Sequence, residues 1–301
     1  MKNNRRDFLK QLGFGTLGLT ALPHLQLFAN EAVQKKLFFK ISLAEWSLHK
    51  ALFAKEITNL DFPGIAAKKY GIHAVEYVNQ FFKDKAQDKS YLNDLNTRAR
   101  DNGVTNVLIM IDGEGDLGST IDSERTKAVE NHYKWLDAAK HLGCHSIRVN
   151  AAGKGTADEV KTAAIDGLGR LSEYASKMNM NVIVENHGGY SSNADWLTSV
   201  MKSVGRKNLG TLPDFGNFYD YDRYKGTEEM MPFAKGVSAK SFDFDSSGSE
   251  KTIDFRRMLQ IVKESGYRGY VGIEYEGEHM SEDAGIKATK LLLEKIGAEL
   301  S

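Results

Sequence analysis

Short apolar runs that end in polar residues recur along this chain after residue 37, with amphipathic stretches between them. Val182-Ile183-Val184 runs into Glu185-Asn186-His187, Leu212-Pro213 into Asp214, and Val271-Gly272-Ile273 into Glu274-Tyr275-Glu276. An unbroken apolar run of strand length fits a strand buried on both faces, as in a parallel sheet covered by helices. The stretches between, such as 124–142 and 254–265, repeat apolar residues at three and four, the helical spacing. Gly71, Gly103, Gly143, Gly205, Gly236 and Gly266 follow helix-like segments, where a left-handed residue ends a helix. The pattern predicts strands at 38–46, 74–78, 105–112, 145–151, 181–187, 209–214, 236–244 and 269–276. That number of strand-then-helix units closes a parallel barrel, so the expected fold is α/β, a single-domain (β/α)8 TIM barrel. A doubly wound sheet would carry a glycine-rich phosphate turn, and Gly113-Glu114-Gly115 lacks the third glycine and the helix that should follow.

Composition narrows the partners. Forty basic and forty acidic residues in 301 leave no net charge to draw the chain to nucleic acid or acidic membranes. The N-terminus reads differently: Arg5-Arg6-Asp7-Phe8-Leu9-Lys10 precedes a weakly apolar stretch, the form of a twin-arginine export signal. That stretch, 12–22, is shorter than the roughly 20 apolar residues a membrane span needs. Residues 1–29 are therefore assigned to a signal peptide and 30–301 to the barrel, giving a periplasmic or otherwise exported protein with no membrane segment in its mature form. The single cysteine, Cys144, cannot form an internal disulfide and is expected to be a buried structural thiol.

In a barrel of this kind the active site forms where the strands end. Residues two apart on a strand share a face, which pairs Glu185 with His187, Arg148 with Asn150, Ser238 with Lys240 and Glu274 with Glu276 at the mouth. Glu76, Asp112 and Glu45-Trp46 close the second, third and first strands. Burying several carboxylates together costs several kcal/mol per ion, of order ~3–5, unless each is paired or binds a metal. Glu185, Asp214 and Glu274 thus suit a hard divalent cation, Mg²⁺ or Mn²⁺, with Co²⁺, Zn²⁺ or Fe²⁺ admitted by a histidine ligand. The alternative is that each pairs with Arg148 or Lys240 or caps the following helix. Asn217 can bind a sugar hydroxyl or hold a turn, and Trp46 can stack on a sugar ring or join the core.

These residues carry a resemblance. Val-Ile-Val-Glu185-Asn-His, Leu-Pro-Asp214-Phe-Gly-Asn and Gly-Ile-Glu274-Tyr-Glu-Gly, with Ala-Val-Glu76-Tyr, resemble the sugar phosphate isomerase/epimerase family of xylose isomerase-like barrels over roughly residues 38–299. The resemblance implies Glu185, Asp214 and Glu274 as metal ligands, with Mn²⁺, Mg²⁺ or Co²⁺ as the cofactor. It implies Glu185 and Glu274 as the acid–base pair, with Lys240, Arg148 or His187 stabilising the oxyanion, and Glu76 as the acid after strand two; Arg148, Asn150, His187, Asn217 and Trp46 are candidates by position to surround the substrate. The chain departs from the family at strand seven: Ser238 stands where members commonly carry a histidine, and Ser241 where they carry an aspartate. His187 or water would then complete the metal site, or Lys240 would neutralise the carboxylates in its place. The implied activity is metal-dependent epimerisation or isomerisation of an unphosphorylated sugar or keto-sugar through an enediolate. A 3-keto-glycoside lyase using the same proton abstraction and a non-catalytic sugar-binding barrel are the alternatives. The partner is a small sugar, and homo-oligomerisation stays open.

Overall fold

The computed structural model describes residues 36–301; the signal-peptide reading of 1–29 lies outside the described residues. Every expected strand forms: β1 (Lys40–Ala44), β2 (Ala74–Val78), β3 (Thr105–Met110), β4 (Ser146–Val149), β5 (Asn181–Glu185), β6 (Leu209–Leu212), β7 (Val237–Ser241) and β8 (Tyr270–Tyr275). Their pairing is parallel in the order β6-β5-β4-β3-β2-β1-β8-β7. The ring closes between β6 and β7 through two isolated parallel bridges, Thr211 to Ala234 and Asp214 to Ser238. Pro213 explains the thin seam, because it has no N–H for the ladder, although its carbonyl still accepts from Ser238 N at 2.9 Å.

Helices surround the ring. After β1 come α1 (His49–Phe53) and α2 (Phe62–Tyr70), and each later strand is followed by one α-helix. In order these are α3 (Lys89–Asp101), α4 (Asp122–Leu142), α5 (Ala157–Ser176), α6 (Ala194–Val204), α7 (Arg223–Met230), α8 (Phe255–Glu264) and α9 (Glu282–Leu300). A Thr156–Glu159 capping box opens α5, and Asp88, Asn193 and Asp254 cap α3, α6 and α8; such caps contribute about 0.5–2 kcal/mol each. Gly71, Gly143 and Gly205 end α2, α4 and α6 in the left-handed conformation, as expected. Gly236 does not share it. Its α-hydrogen faces the barrel interior, where a Cβ would meet Leu212 and Ile183 at 3.3 and 3.4 Å.

Two apolar layers result from the alternation. Val182, Val184, Ile147, Val149, Val271 and Ile273 face outward into the helix layer. Ala44, Ala74, Val78, Leu108, Met110, Ile183 and Leu212 fill the interior as a plug, with Trp46 and Phe81 packed against it. A fully buried aliphatic side chain contributes about 1.5–3 kcal/mol, so both layers hold the strand tips in register. The strands stop short of several expected ends. β1 ends at Ala44 because Glu45 opens a 3-10 turn, Glu45–Leu48, which carries Glu45 and Trp46 beyond the strand.

Candidate active site

At the mouth the inward positions of β4 to β8 converge. Arg148 of β4 places Nη1 2.8 Å from Asp112 Oδ1 and Nε 2.8 Å from Glu185 Oε2. The second contact is an ion pair without hydrogen-bond alignment. Asn150 Nδ2 also donates to Asp112 Oδ1, at 2.7 Å, and Asn217 Nδ2 donates to Glu185 Oε1 at 3.1 Å. Lys240 Nζ stands 3.2 Å from Glu274 Oε1, 3.2 Å from Glu276 Oε1 and 3.8 Å from Asp214 Oδ2. Gly216 makes room for that lysine, since a Cβ there would lie 2.8 Å from Lys240 Cδ. Ser238 Oγ sits 2.7 Å from Asp214 Oδ2 and 2.9 Å from Glu274 Oε2.

The electrostatics follow from burial. Desolvation raises Glu185 to about 7 against the pull of Arg148, and raises Asp214 to about 7 against the pull of Lys240. Burial works to raise Glu274 too, but Lys240, Arg148 and Ser238 together outweigh it and hold this carboxyl below its ordinary value. Burial disfavours the Lys240 ammonium, yet Asp214, Glu274 and Glu276 reverse the balance and keep it charged. The site is short of positive charge: Arg148 and Lys240 face Asp112, Glu185, Asp214, Glu274 and Glu276. Ser238 has one hydroxyl hydrogen for two carboxylate oxygens. One oxygen each from Glu185, Asp214 and Glu274 lies within 4.8 Å of the others. Converging hard oxygens with surplus negative charge fit a divalent cation.

The model of the xylose isomerase-like TIM barrel family matches residues 65–296. The chain belongs to this family. Its structural neighbours include sugar epimerases. A D-psicose 3-epimerase crystallised in the presence of D-fructose superposes with a TM-score of 0.68 at 12% identity, over 86% of this chain and 100% of that one. A xylose isomerase-like protein from Mycobacterium smegmatis in complex with magnesium gives 0.67 at 14% identity, covering 87% and 98%. A 3-keto-D-glucoside 4-epimerase from E. coli gives 0.62 at 15% identity, covering 85% and 99%. Likeness at these identities shows the fold. In sequence, a C-glycoside deglycosidase alpha subunit of Microbacterium trichothecenolyticum is 33% identical over 79 residues. Those residues are 25% of this chain and 21% of the relative's length.

Within this xylose isomerase-like barrel most of the expected residues converge, and three lie around them. Arg148, Asn150, Glu185, Asp214, Asn217, Lys240 and Glu274 meet at one site, where Asn150 and Asn217 hold carboxylates in place. Glu76 lies beneath that site, where it feels the charges of Glu274, Glu185 and Arg148. β2 runs on to Val78, so Glu76 is a mid-strand residue, 1% exposed, with Oε1 accepting from Ser42 Oγ at 2.6 Å. It lies below the mouth against Gly272, where a Cβ would come within 2.7 Å of its carboxylate. His187 stands at the open edge of the site: the residue is exposed, but burial of its ring and the nearby Arg148 lower the imidazole, which also feels Asp112, Lys240 and Glu274. It is not one of the three converging ligands, and Asn186 beside it pairs both ways with the Asp214 backbone, at 3.0 and 2.7 Å. Trp46 is half-buried at the rim, stacked on His49 at 5.0 Å.

Asp112, Glu276 and Ser238, which the sequence places at strand ends without a role, are site residues as well. Glu45 is buried and serves the rim instead. It accepts from Asn59 Nδ2 and Val78 N, both at 2.9 Å, and burial raises it to about 8. Cys144 is buried as expected, and burial pushes its thiol up.

Proposed function

We propose that this barrel is a proton-transfer enzyme acting on an unphosphorylated sugar or keto-sugar, breaking a C–H bond beside a carbonyl. One observation carries the proposal: Glu185, Asp214 and Glu274 present oxygens within 4.8 Å of one another at the strand ends, with Lys240 and Arg148 beside them. Two carboxyl groups whose surroundings push them in opposite directions divide into an acid and a base. Glu274, held ionised beside Lys240, takes the proton; Glu185, raised to about 7, delivers one to the other face. The C–H electron pair moves onto the carbonyl oxygen, and Lys240 donates to that developing oxyanion. Arg148 and Asn217 fix the Glu185 carboxylate, Asp112 and Asn150 are placed for sugar hydroxyls, and His187 and Trp46 flank the entrance. A divalent cation held by Glu185, Asp214 and Glu274 would supply Lewis-acid polarisation of the substrate oxygens.

Returning the proton to the opposite face gives an epimer. A second reading has support from the C-glycoside deglycosidase likeness. With the carbonyl at sugar C3, proton loss at C2 lets the C1 substituent leave with its bonding electrons, which is a lyase reaction. The Arg5-Arg6 motif supports export, and an exported enzyme would meet glycosides.

Both readings share their first step, so solvent exchange tests them together. Full-length protein supplied with Mn²⁺ is incubated in D₂O with methyl 3-keto-β-D-glucoside and followed by NMR. The C2 proton signal should wash out, with epimer or free methanol distinguishing the outcomes, and Glu274→Gln should slow the exchange about 10²–10⁴-fold. No exchange in the wild type, with the sugar bound, overturns the proposal and leaves a sugar-binding barrel.

A further inference from the structure

Above β1 and β2 the rim is apolar, and its residues lie outside the proton-transfer machinery. Phe53, the last residue of α1, is 57% exposed. Its ring packs against Phe81 at 5.2 Å and edge-on to Trp46 at 6.0 Å. Phe53 and Phe81, with Ile57, Leu60, Phe82 and Tyr91, line a cavity of 590 Å³, within the roughly 300–1,000 Å³ of small-molecule sites. The cavity shares Phe81 with the rim of the barrel mouth: the Phe81 ring lies 6.0 Å from that of Trp46, and both pack on the interior plug.

The cavity walls are fixed by buried hydrogen bonds. Glu45 accepts from Asn59 Nδ2 and Val78 N, and Asn59 Oδ1 accepts from Tyr91 Oη at 2.9 Å. That chain ties the end of β1, the loop before α2, the end of β2 and the start of α3, the segments that surround the space. The rim carries Lys55, Lys83, Asp84 and Lys85, the last paired with Asp88 at 3.0 Å. Aromatic walls set edge-to-face favour an aromatic guest over an aliphatic one.

We infer that this cavity is a subsite for an aromatic group joined to the sugar, so that the substrate is an aryl glycoside; the inference rests on the sugar function proposed above. The sugar lies over the strand-end carboxylates and its aglycone lies along Phe53 and Phe81.

Calorimetric titration of the full chain with methyl 3-keto-β-D-glucoside, 2-naphthyl 3-keto-β-D-glucoside and free 2-naphthol tests this, in the wild type and in Phe53→Ser and Phe81→Ser. The naphthyl glycoside should bind about tenfold tighter than the methyl one. That advantage should vanish in either variant while methyl glycoside binding is unchanged. Equal affinities in the wild type, or an advantage that survives both substitutions, overturn the subsite while the methyl glycoside still reports a working sugar site. Naphthol binding that depends on Phe53, with neither glycoside bound, supports an aromatic site and overturns the sugar function instead. A Phe53→Ser protein that changes its sedimentation while all affinities hold makes the face a contact between copies and overturns the inference.

Discussion

Above β4 to β8 the mouth carries charge with almost no exposure: Glu185 and Asp214 are fully buried, Lys240 is 2% exposed and Arg148 3%. Above β1 and β2, on the same end of the same barrel, the exposure is reversed, with Phe53 open to solvent beside Trp46 and Phe81. A protein selected for stability alone would bury the rings and expose the charges. Each half departs from that preference in its own way, so each carries a different task, one for bond chemistry and one for holding an apolar group.

The charged half should be the more costly to disturb. Lys240→Met removes the cation shared by Asp214, Glu274 and Glu276, and leaving buried carboxylates unpaired costs about 3–5 kcal/mol. Urea denaturation in EDTA should show that loss, and added Mn²⁺ should restore part of it because a divalent ion supplies the missing charge. Wild-type stability of the variant in EDTA would mean that Lys240 does not hold the cluster together.

A deeper contrast separates Glu76 from the ring above it. Gly272→Ala would drive a methyl group to within 2.7 Å of both Glu76 carboxylate oxygens, and such overpacking costs about 1–3 kcal/mol. Adding Glu76→Ala removes the clashing carboxylate, so the double variant should be more stable than Gly272→Ala alone in thermal melts. Additive losses would show that the glycine answers to something other than Glu76.

The buried carboxyls also set a pH dependence. Glu76, Glu185 and Asp214 rise to about 7 and Glu45 to about 8 on burial. A carboxyl raised in the folded state binds its proton more tightly there than in the unfolded chain. Its stabilising contribution is complete below the unfolded value near 4.5 and is lost as the pH climbs through 7 to 8. The EDTA-treated protein should therefore lose about 1–2 kcal/mol per raised carboxyl between pH 6 and pH 8. Mn²⁺ would oppose the rise at Glu185 and Asp214, so the slope should flatten toward the share of Glu45 and Glu76. A flat profile in EDTA would show that these groups are ionised throughout.

How far the sequence disclosed this arrangement depended on whether a contact is set by one strand or by several. Arg148 with Asn150, and Ser238 with Lys240, were legible because alternation along a single buried strand decides which face a residue takes. Glu76 misled because an acid after two apolar residues reads as a strand tip, yet Tyr77 and Val78 continue the strand. Gly272, two residues before Glu274 on the same face, was the available sign of a close approach inside the barrel. Alternation brought His187 to the edge of the site, beside Arg148 and Asp112, but not into the ligand trio. The aromatic cavity had no sequence signature, because Phe53, Phe81 and Tyr91 belong to three separate segments, which ring contacts and the hydrogen bonds of Glu45 and Asn59 bring together.

The smallest expected effect is the sharpest test of the contrast. If Phe53 served the fold, replacing it by serine would remove packing and cost about 3 kcal/mol or more, as for a core phenylalanine. At 57% exposure most of its ring already contacts water, and its neighbours Phe81 and Trp46 keep their own contacts with the plug. Surface changes of this kind stay within about 0.5 kcal/mol, and losing an exposed apolar ring can raise solubility. Phe53→Ser should therefore match the wild type in urea midpoint and slope. A loss above about 1 kcal/mol would return Phe53 to the core, and the apolar half of the mouth would then differ from the charged half in composition but not in purpose.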